Sequence, residues 1–444
     1  MARIALVNAH WGALFSGRVR RYNRAFPPLD LLNVAAQLRN AGHHPTLYDG
    51  RVGDPSPRED SYDLAFVTLS PLDRWQCPNT DLPAMDRFLQ PFAKDRTVLM
   101  GAQVTIRPEA ILSRVGPLGA LLGEPEASVV AVAAGGQPGQ VPGTARWDGG
   151  ALVSGPSAPT LDLTRMPMPA FDQLDFSRYR YEVLGDRLGL LELTRGCPWR
   201  CRFCLLTMYG KKYRKKSVDQ VVAEIRFAQR CGMRCAYFQD LEMTADRPLV
   251  WELCDAMLRS GLKLRWACQT RPDTVDPELL AHMRRAGCEL IHFGVESGAE
   301  RVVTLTGKGQ TLEQVAVAVS AARAVGMRTL CFFLVGLPTE TLDEMWQTFA
   351  FAEKIRPTYA SFQVATPYPT TPFHTEYAGG SDEPFPSEFQ GDVAPDELRR
   401  LAKEFTLRYH LSPRYVAGRL TGPGLAAAGR EAGLLARYAM TQIR

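Results

Sequence analysis

Short apolar runs alternate with longer amphipathic stretches along most of this chain. RIALVNAH (3–10) reads as a strand, and PPLDLLNVAAQLRNAG (27–42) as a helix with Pro at its entry and Gly past its end. HPTLYDG (44–50), DLAFVTLS (63–70) and TVLMGAQ (97–103) read as further strands, and PEAILSRV (108–115) as a short helix. Alternation of this kind predicts a parallel sheet covered on both faces, over residues 1–135. Ligands of such sheets sit beyond the carboxyl ends of the strands. Residues 136–180 break the pattern. GGQPGQVPG and SGPSAP are polar and turn-rich, and PMPAF holds the chain extended, so this stretch reads as a linker.

The alternation returns over residues 181–380. The strands read as LGLLELTRG (188–196), CAYFQD (235–240), LRWACQTR (264–271), ELIHFGVES (289–297), RTLCFFLVG (328–336) and YASFQVATPYP (359–369). Helices such as SVDQVVAEIRFAQRCG, PLVWELCDAMLRSG and TLEQVAVAVSAARAVG separate them. Six strand–helix units predict a partial barrel, with its chemistry at the carboxyl ends of the strands. Residues 381–444, including APDELRRLAKEFTLRY, read as a small helical C-terminal region capping the barrel mouth. The expected class is α/β: a doubly wound, Rossmann-like sheet followed by a partial (β/α)6 barrel.

Composition narrows the setting. At 444 residues and 45% hydrophobic content, two domains with sizeable cores are expected. No apolar run reaches the roughly 18 residues of a membrane span. The start, MARIALVNAHWG, has no signal-peptide pattern, so a cytoplasmic protein with no membrane partner is expected. The net charge of +5 is mild, and the densest basic run is KKYRKK, Lys211 to Lys216. That run suits an acidic electron donor such as a flavodoxin or ferredoxin, or simply a solvated face. No RNA-binding motif accompanies it, which argues against nucleic acid.

The chain has ten cysteines, three of them in LTRGCPWRCRFC: Cys197, Cys201 and Cys204, spaced C-x3-C-x2-C. Three thiolates on one loop hold three irons of a [4Fe–4S] cube and leave the fourth iron open for a small chelating molecule. A zinc site would want a fourth Cys or His nearby, and the nearest histidines, His282 and His292, are far along the chain. The other seven cysteines read as buried small apolar residues, Cys231 and Cys235 among them despite their metal-like spacing.

This triple-cysteine loop, with the strand-end motifs behind it, resembles the radical SAM superfamily. There, S-adenosylmethionine (SAM) chelates the open iron and is cleaved reductively to a 5′-deoxyadenosyl radical. The resemblance implies that Phe203 packs beside the adenine. It places Asp240 and Glu242, after the second strand, at the SAM ammonium. Arg271 would hold the SAM carboxylate through its planar fork. Glu296, in GVESG, would accept from the ribose hydroxyls. FLVGLPTET (333–341) resembles the adenine-side motif, and TPYPTTPF (366–373) the family's Pro-Tyr-Pro-Gly-Thr-Pro stretch, with Thr370 where Gly is usual. Tyr213, inside the basic run, is a candidate catalytic proton source, and Tyr209 lies nearby. Cysteines beyond residue 331 are absent, so a single cluster is inferred.

The blocks PPLDLLNVAAQLRNAGHHPTLYD, MGAQVTIRPEAIL and GEPEAS resemble the cobalamin-binding domain ahead of many radical SAM domains. The Asp-x-His-x-x-Gly signature is absent, which leaves open whether cobalamin is bound; Asn8, Thr68, Ser70 and Gln103 are candidate pocket residues. Two reactions on a small polar metabolite compete. The favoured one is radical dehydration of an aminosugar or diol, as in the aminoglycoside diol dehydratases. That is lyase chemistry of antibiotic biosynthesis, with a partner reductase to complete deoxygenation. The other is cobalamin-dependent C-methylation. A non-catalytic iron–sulfur sensor is the remote alternative.

Overall fold

The computed structural model describes residues 1–14, 25–69, 81–206, 208–377, 388–389 and 391–421. Ser70, Cys77 and residues 422–444, which figured in the sequence reading, lie outside them. The chain divides into two compact units. The first comprises Met1–Arg180, Arg187–Leu191 and Leu206–Met233; the second comprises Tyr181–Asp186, Glu192–Leu205 and Arg234–Arg444.

The first unit holds a seven-stranded sheet in the order β2-β1-β3-β4-β5-β6-β7. Its strands are β1 (Arg3–Asn8), β2 (His44–Asp49), β3 (Leu64–Thr68), β4 (Thr97–Met100), β5 (Gly119–Leu121), β6 (Thr144–Asp148) and β7 (Ala151–Ser154). The first five run parallel to one another, as the strand–helix alternation requires. β1, β3 and β4 are apolar and buried, because helices cover both faces. Helix α1 (Leu29–Asn40) packs Leu31, Val34, Ala35 and Leu38 onto Ile4, Leu6 and Phe66. Helix α2 (Pro108–Val115) starts on proline and ends at Gly116, whose φ is +55°.

Part of the stretch read as a linker is not one. β6 and β7 form an antiparallel hairpin on the sheet, closed by the two-residue loop Gly149–Gly150. Both glycines have positive φ, +56° and +86°, as a tight hairpin turn of this hand requires. The strands are too short and too mixed in polarity to show a clear alternation in sequence. Strand β8 (Leu188–Leu191) and helix α3 (Val218–Arg230), both expected in the barrel region, have most of their contacts within the first unit.

In the second unit, β9 (Cys235–Phe238), β10 (Arg265–Thr270), β11 (Cys288–Glu296), β12 (Arg328–Val335) and β13 (Tyr359–Val364) run side by side and parallel. Helices α4 (Arg247–Arg259), α5 (Pro277–Arg285), α6 (Glu300–Leu305), α7 (Leu312–Ala324) and α8 (Leu342–Ile355) intervene, and α9 (Pro372–Tyr377) follows β13. Their starts are chemically marked. Asp246 and Asp276 cap α4 and α5, and Thr311 and Thr341 build capping boxes with Gln314 and Glu344. Each cap satisfies backbone N–H groups that a helix start leaves without partners.

Of the C-terminal helices, α10 (Pro395–Leu411) lies along β13, the last strand in the sheet order. Phe405 packs on Phe349 and Phe362, Tyr409 donates to the Pro357 carbonyl at 2.5 Å, and the Ala360 N–H reaches His410. The helix therefore shields an edge strand from pairing. α11 (Pro413–Thr421) follows it.

Candidate active site

Four segments of the second unit converge at the carboxyl ends of its strands. The first is the loop 196–205. Gly196, at φ +82°, turns the chain into it. The Cys204 N–H donates to the Cys201 carbonyl at 3.2 Å, folding the two thiols onto one turn. Arg202 anchors the turn outward: its N–H donates to Thr306 O at 2.9 Å, its guanidinium pairs with Glu376, and it stacks over Phe373 at 5.0 Å. Phe203 packs into a cluster with Ala299, Val302, Leu337, Phe373 and Phe389. It thus shares an apolar wall with Leu337 of the Gly–Leu–Pro turn.

The three thiols are close enough to feel one another. Burial pushes Cys197 up to about 11 and Cys204 higher still. Burial also raises Cys201, against the opposing pull of Lys308 and Arg271. Buried neutral thiols become thiolates when a metal displaces the proton. Among the described residues, no three His, Cys, Asp or Glu side chains are arranged to hold a single metal ion. A cubane suits this loop better, since it spreads its thiolates over separate irons. One further atom fits. The Trp199 indole Nε1 is buried and has no hydrogen-bond partner among the described residues. A donor of that kind calls for an acceptor that the polypeptide does not supply.

The two acidic candidates after β9 differ sharply in surroundings. Asp240 accepts from the Leu193 N–H at 3.1 Å, and from the Thr194 N–H and hydroxyl at 2.6 Å each. It fastens the approach to the cysteine loop. Glu242 sits among three threonine hydroxyls: Thr270, Thr274 at 3.1 Å and Thr244 at 3.2 Å, all donating to Oε1. Burial pushes its carboxyl up to about 7, with the Thr270 and Thr274 hydroxyls pulling the other way. A carboxyl held there gains from a cationic partner.

Arg271 leaves β10 with its fork already engaged. Nε and Nη2 donate to Asp273 at 2.8 and 2.6 Å, and Nη2 also donates to the Lys308 carbonyl at 2.6 Å. Only Nη1 remains, 3.8 Å from Cys201 Sγ. A second carboxylate meets one edge nitrogen here, not the two-pronged grip expected from the sequence. The guanidinium also stacks 4.2 Å above the Trp199 ring.

Glu296 ends β11 in the left-handed region, at φ +71°. The pairing of β11 with β12 slips between Gly294 and Glu296, which re-aims the side chain. Such strain costs about 1–3 kcal/mol and concentrates at functional sites. Lys308, which sequence reading missed, donates to Glu296 Oε1 at 2.7 Å and to the Gly294 carbonyl at 2.6 Å. Gln310 donates to the Val295 carbonyl at 2.9 Å. Lys308 was readable as a lysine between two glycines in TGKGQT, but nothing in its spacing tied it to Glu296.

Tyr213 belongs to the first unit and is half-buried. Two of the cations beside it are paired: Arg214 with Glu124, and Lys216 with Glu224 at 2.8 Å, both lysine and glutamate buried. Tyr209 donates to Asp30 at 3.1 Å. Lys211, Lys212 and Lys215 are the exposed cations of the run.

At the carboxyl end of the first unit's sheet, Asn8, Thr68 and Gln103 are buried. Asn8 donates to Asp49 at 2.9 Å, but its Oδ1 has no partner among the described residues. Asn33, near the start of α1, is fully buried, and neither amide atom has a partner among the described residues. The sequence reading passed over Asn33, which looks like one more polar position on a helix.

Residues 191–352, which carry the cysteine loop and the Glu242, Arg271 and Glu296 strand ends, match the family model described as radical SAM superfamily. Those residues form a radical SAM domain. A radical SAM domain implies a [4Fe–4S] cluster and SAM. An uncharacterized methyltransferase of Pyrococcus horikoshii is 30% identical over 62% of this chain and 61% of its own length. The chain spans less than two thirds of the length of the curated relatives it matches first. Several further relatives are named methyltransferases or methylases, and two are named anaerobic magnesium-protoporphyrin IX monomethyl ester cyclase.

Two solved structures share the fold over most or all of the chain. The cobalamin-dependent SAM radical enzyme OxsB covers 100% of this chain and 72% of its own, with a TM-score of 0.74 at 15% identity. The methyltransferase TsrM from Kitasatospora setae, solved with cobalamin and a [4Fe–4S] cluster, covers 85% and 74%, with a TM-score of 0.65 at 18% identity. No helix among the described residues is long and apolar enough to cross a membrane.

Proposed function

We propose that this radical SAM enzyme is a cobalamin-dependent methyltransferase acting on a small molecule. The observation that carries the reading is a pair of buried amides with open hydrogen-bonding atoms, Asn8 at the carboxyl end of β1 and Asn33 in the helix that follows it, α1. Unsatisfied buried amides cost about 1–3 kcal/mol each, so a bound polar-edged ligand accounts for them. Such a ligand belongs at that end of a doubly wound sheet. The cobalamin-dependent neighbours of the same fold, and the methyltransferases among the relatives, support the same choice.

Cys197, Cys201 and Cys204 would hold the cluster, which supplies the electron that cleaves SAM. Asn8 and Asn33, with Thr68 and Gln103, would line the pocket for cobalamin, which supplies the methyl group. Glu242 receives the SAM ammonium, its carboxylate fixed by the three threonine hydroxyls. Glu296, held by Lys308, accepts from the ribose hydroxyls. Phe203 and Leu337 supply the apolar wall for the adenine. Asp240 is a positioning residue that fastens residues 193 and 194 ahead of the cysteine loop. Lys211, Lys212 and Lys215 offer an exposed basic surface to an acidic electron donor.

Radical dehydration is the competing reading, motivated by the missing Asp-x-His-x-x-Gly signature. The deciding experiment is anaerobic reconstitution of the full chain with iron, sulfide and hydroxocobalamin. Bound cobalamin near one per chain, lost on N8L/N33L substitution, supports methyl transfer. A chain that binds none yet still cleaves SAM to 5′-deoxyadenosine overturns it in favour of dehydration.

A further inference from the structure

The cysteine loop carries a feature that neither the iron ligands nor SAM binding requires. Trp199 lies between Cys197 and Cys201, with its indole ring under the Arg271 guanidinium at 4.2 Å. Its Nε1 is buried and without a partner among the described residues. An indole that only fills space normally satisfies its one donor. Trp266, in the core of the same unit, does so by donating to the Ala286 carbonyl at 2.9 Å. Trp199 leaves that donor open on the loop that carries the three thiols.

Arg271 is immobilised to match. Asp273 takes Nε and Nη2 at 2.8 and 2.6 Å, and the Lys308 carbonyl takes Nη2 again at 2.6 Å. The remaining nitrogen, Nη1, faces Cys201 Sγ at 3.8 Å. Asp273 is itself largely buried, so the fork has little freedom to swing away. One rigid cation and one orphaned N–H therefore border the same loop.

We propose that Trp199 and Arg271 form a hydrogen-bonding edge for the cluster's sulfur atoms, and that this edge positions the cluster and raises its reduction potential. The proposal rests on the reading that Cys197, Cys201 and Cys204 hold the cluster. The physical reason is electrostatic. Reduction adds negative charge to the cluster, and N–H dipoles and a nearby cation stabilise the more negative state. Both residues act through the cluster, so they are positioning residues.

The test is a potentiometric titration, followed by EPR, of the anaerobically reconstituted full chain without SAM, which reads the cluster and not turnover. Trp199→Phe keeps a ring for the stack and removes only the N–H. Its midpoint should fall by the equivalent of about tenfold in the reduction equilibrium, about 59 mV for one electron. Arg271→Lys keeps the cation but loses the fork, and should shift the midpoint the same way by less. Wild-type potential in both variants, at wild-type iron content, overturns the proposal. A Trp199→Phe chain with unchanged far-UV circular dichroism that fails to retain iron supports the positioning role, and Arg271→Lys then reports the potential. A wild-type chain that takes up no four-iron cluster sinks the cysteine reading itself, which is a separate failure.

Discussion

Replacing Lys308 by Met tests whether the Glu296–Lys308 pair holds the end of β11 in its strained form. The side chains are 10% and 6% exposed, and Nζ lies 2.7 Å from Oε1. At an effective dielectric of 20, that separation corresponds to about 6 kcal/mol of attraction, much of it offset by desolvation. The pocket is built for the pair: a Cβ on Gly294 would lie 2.5 Å from Nζ and 2.7 Å from Glu296 Oε1. Methionine keeps the length of lysine but leaves the carboxylate without its countercharge, and the Gly294 carbonyl with only the longer Gln310 bond at 3.4 Å. Breaking one side of a buried pair costs about 3–5 kcal/mol. Urea unfolding of the apo-protein should show a loss of that size. Equilibrium dialysis of the reconstituted protein should show weakened SAM binding. The double substitution K308M/E296Q should recover part of the stability, with a coupling of about 1.5–3 kcal/mol. A K308M cost below about 1 kcal/mol, the range of exposed pairs, refutes the reasoning. So does strict additivity of the two substitutions.

Cys201→Ala should reduce bound iron after reconstitution and abolish 5′-deoxyadenosine formation, read by iron assay and mass spectrometry; full cleavage with one thiol missing would discard the three-cysteine cluster. Glu242 has its folded-state carboxyl raised from 4.5 to about 7 by burial. The stability it contributes is thus fully present below about pH 4.5 and lost as pH rises through 7. That is about 3 kcal/mol in the apo-protein, and Glu242→Gln should flatten that slope. Glu224→Gln should destabilise the fold by about 3 kcal/mol, because it strands the buried Lys216. Charge reversal at exposed Lys211 and Lys215 should instead leave urea stability within about 0.5 kcal/mol. It should raise the KM for reduced flavodoxin, an effect that fades as salt is added.

The sequence was legible where chemistry is local. The C-x3-C-x2-C loop carries its meaning in its spacing, since one short turn suffices to present three thiols. The parallel strands and capped helices follow from alternation and from Ser217, Asp246, Asp276, Thr311 and Thr341 at the helix starts. The family's strand-end pattern picked out Glu242, Arg271 and Glu296, all of which the second unit brings to the ends of its strands.

What sequence could not rank was partnership. Asp240 and Glu242 stand two residues apart, yet one binds the backbone at 193–194 and the other lies among three threonines. Arg271 looked like a free fork until Asp273 and the Lys308 carbonyl closed on it. Arg214, beside Tyr213, pairs with Glu124, ninety residues away in sequence. Residues 144–154 read as linker because a four-residue strand gains its stability from the sheet it joins, not from its own pattern. Sequence alone determined most of the parallel strands and the helices between them, and singled out three thiols suited to iron. The tertiary structure decided which charges are already paired, because a hydrogen bond depends on distance in space and carries no signature along the chain.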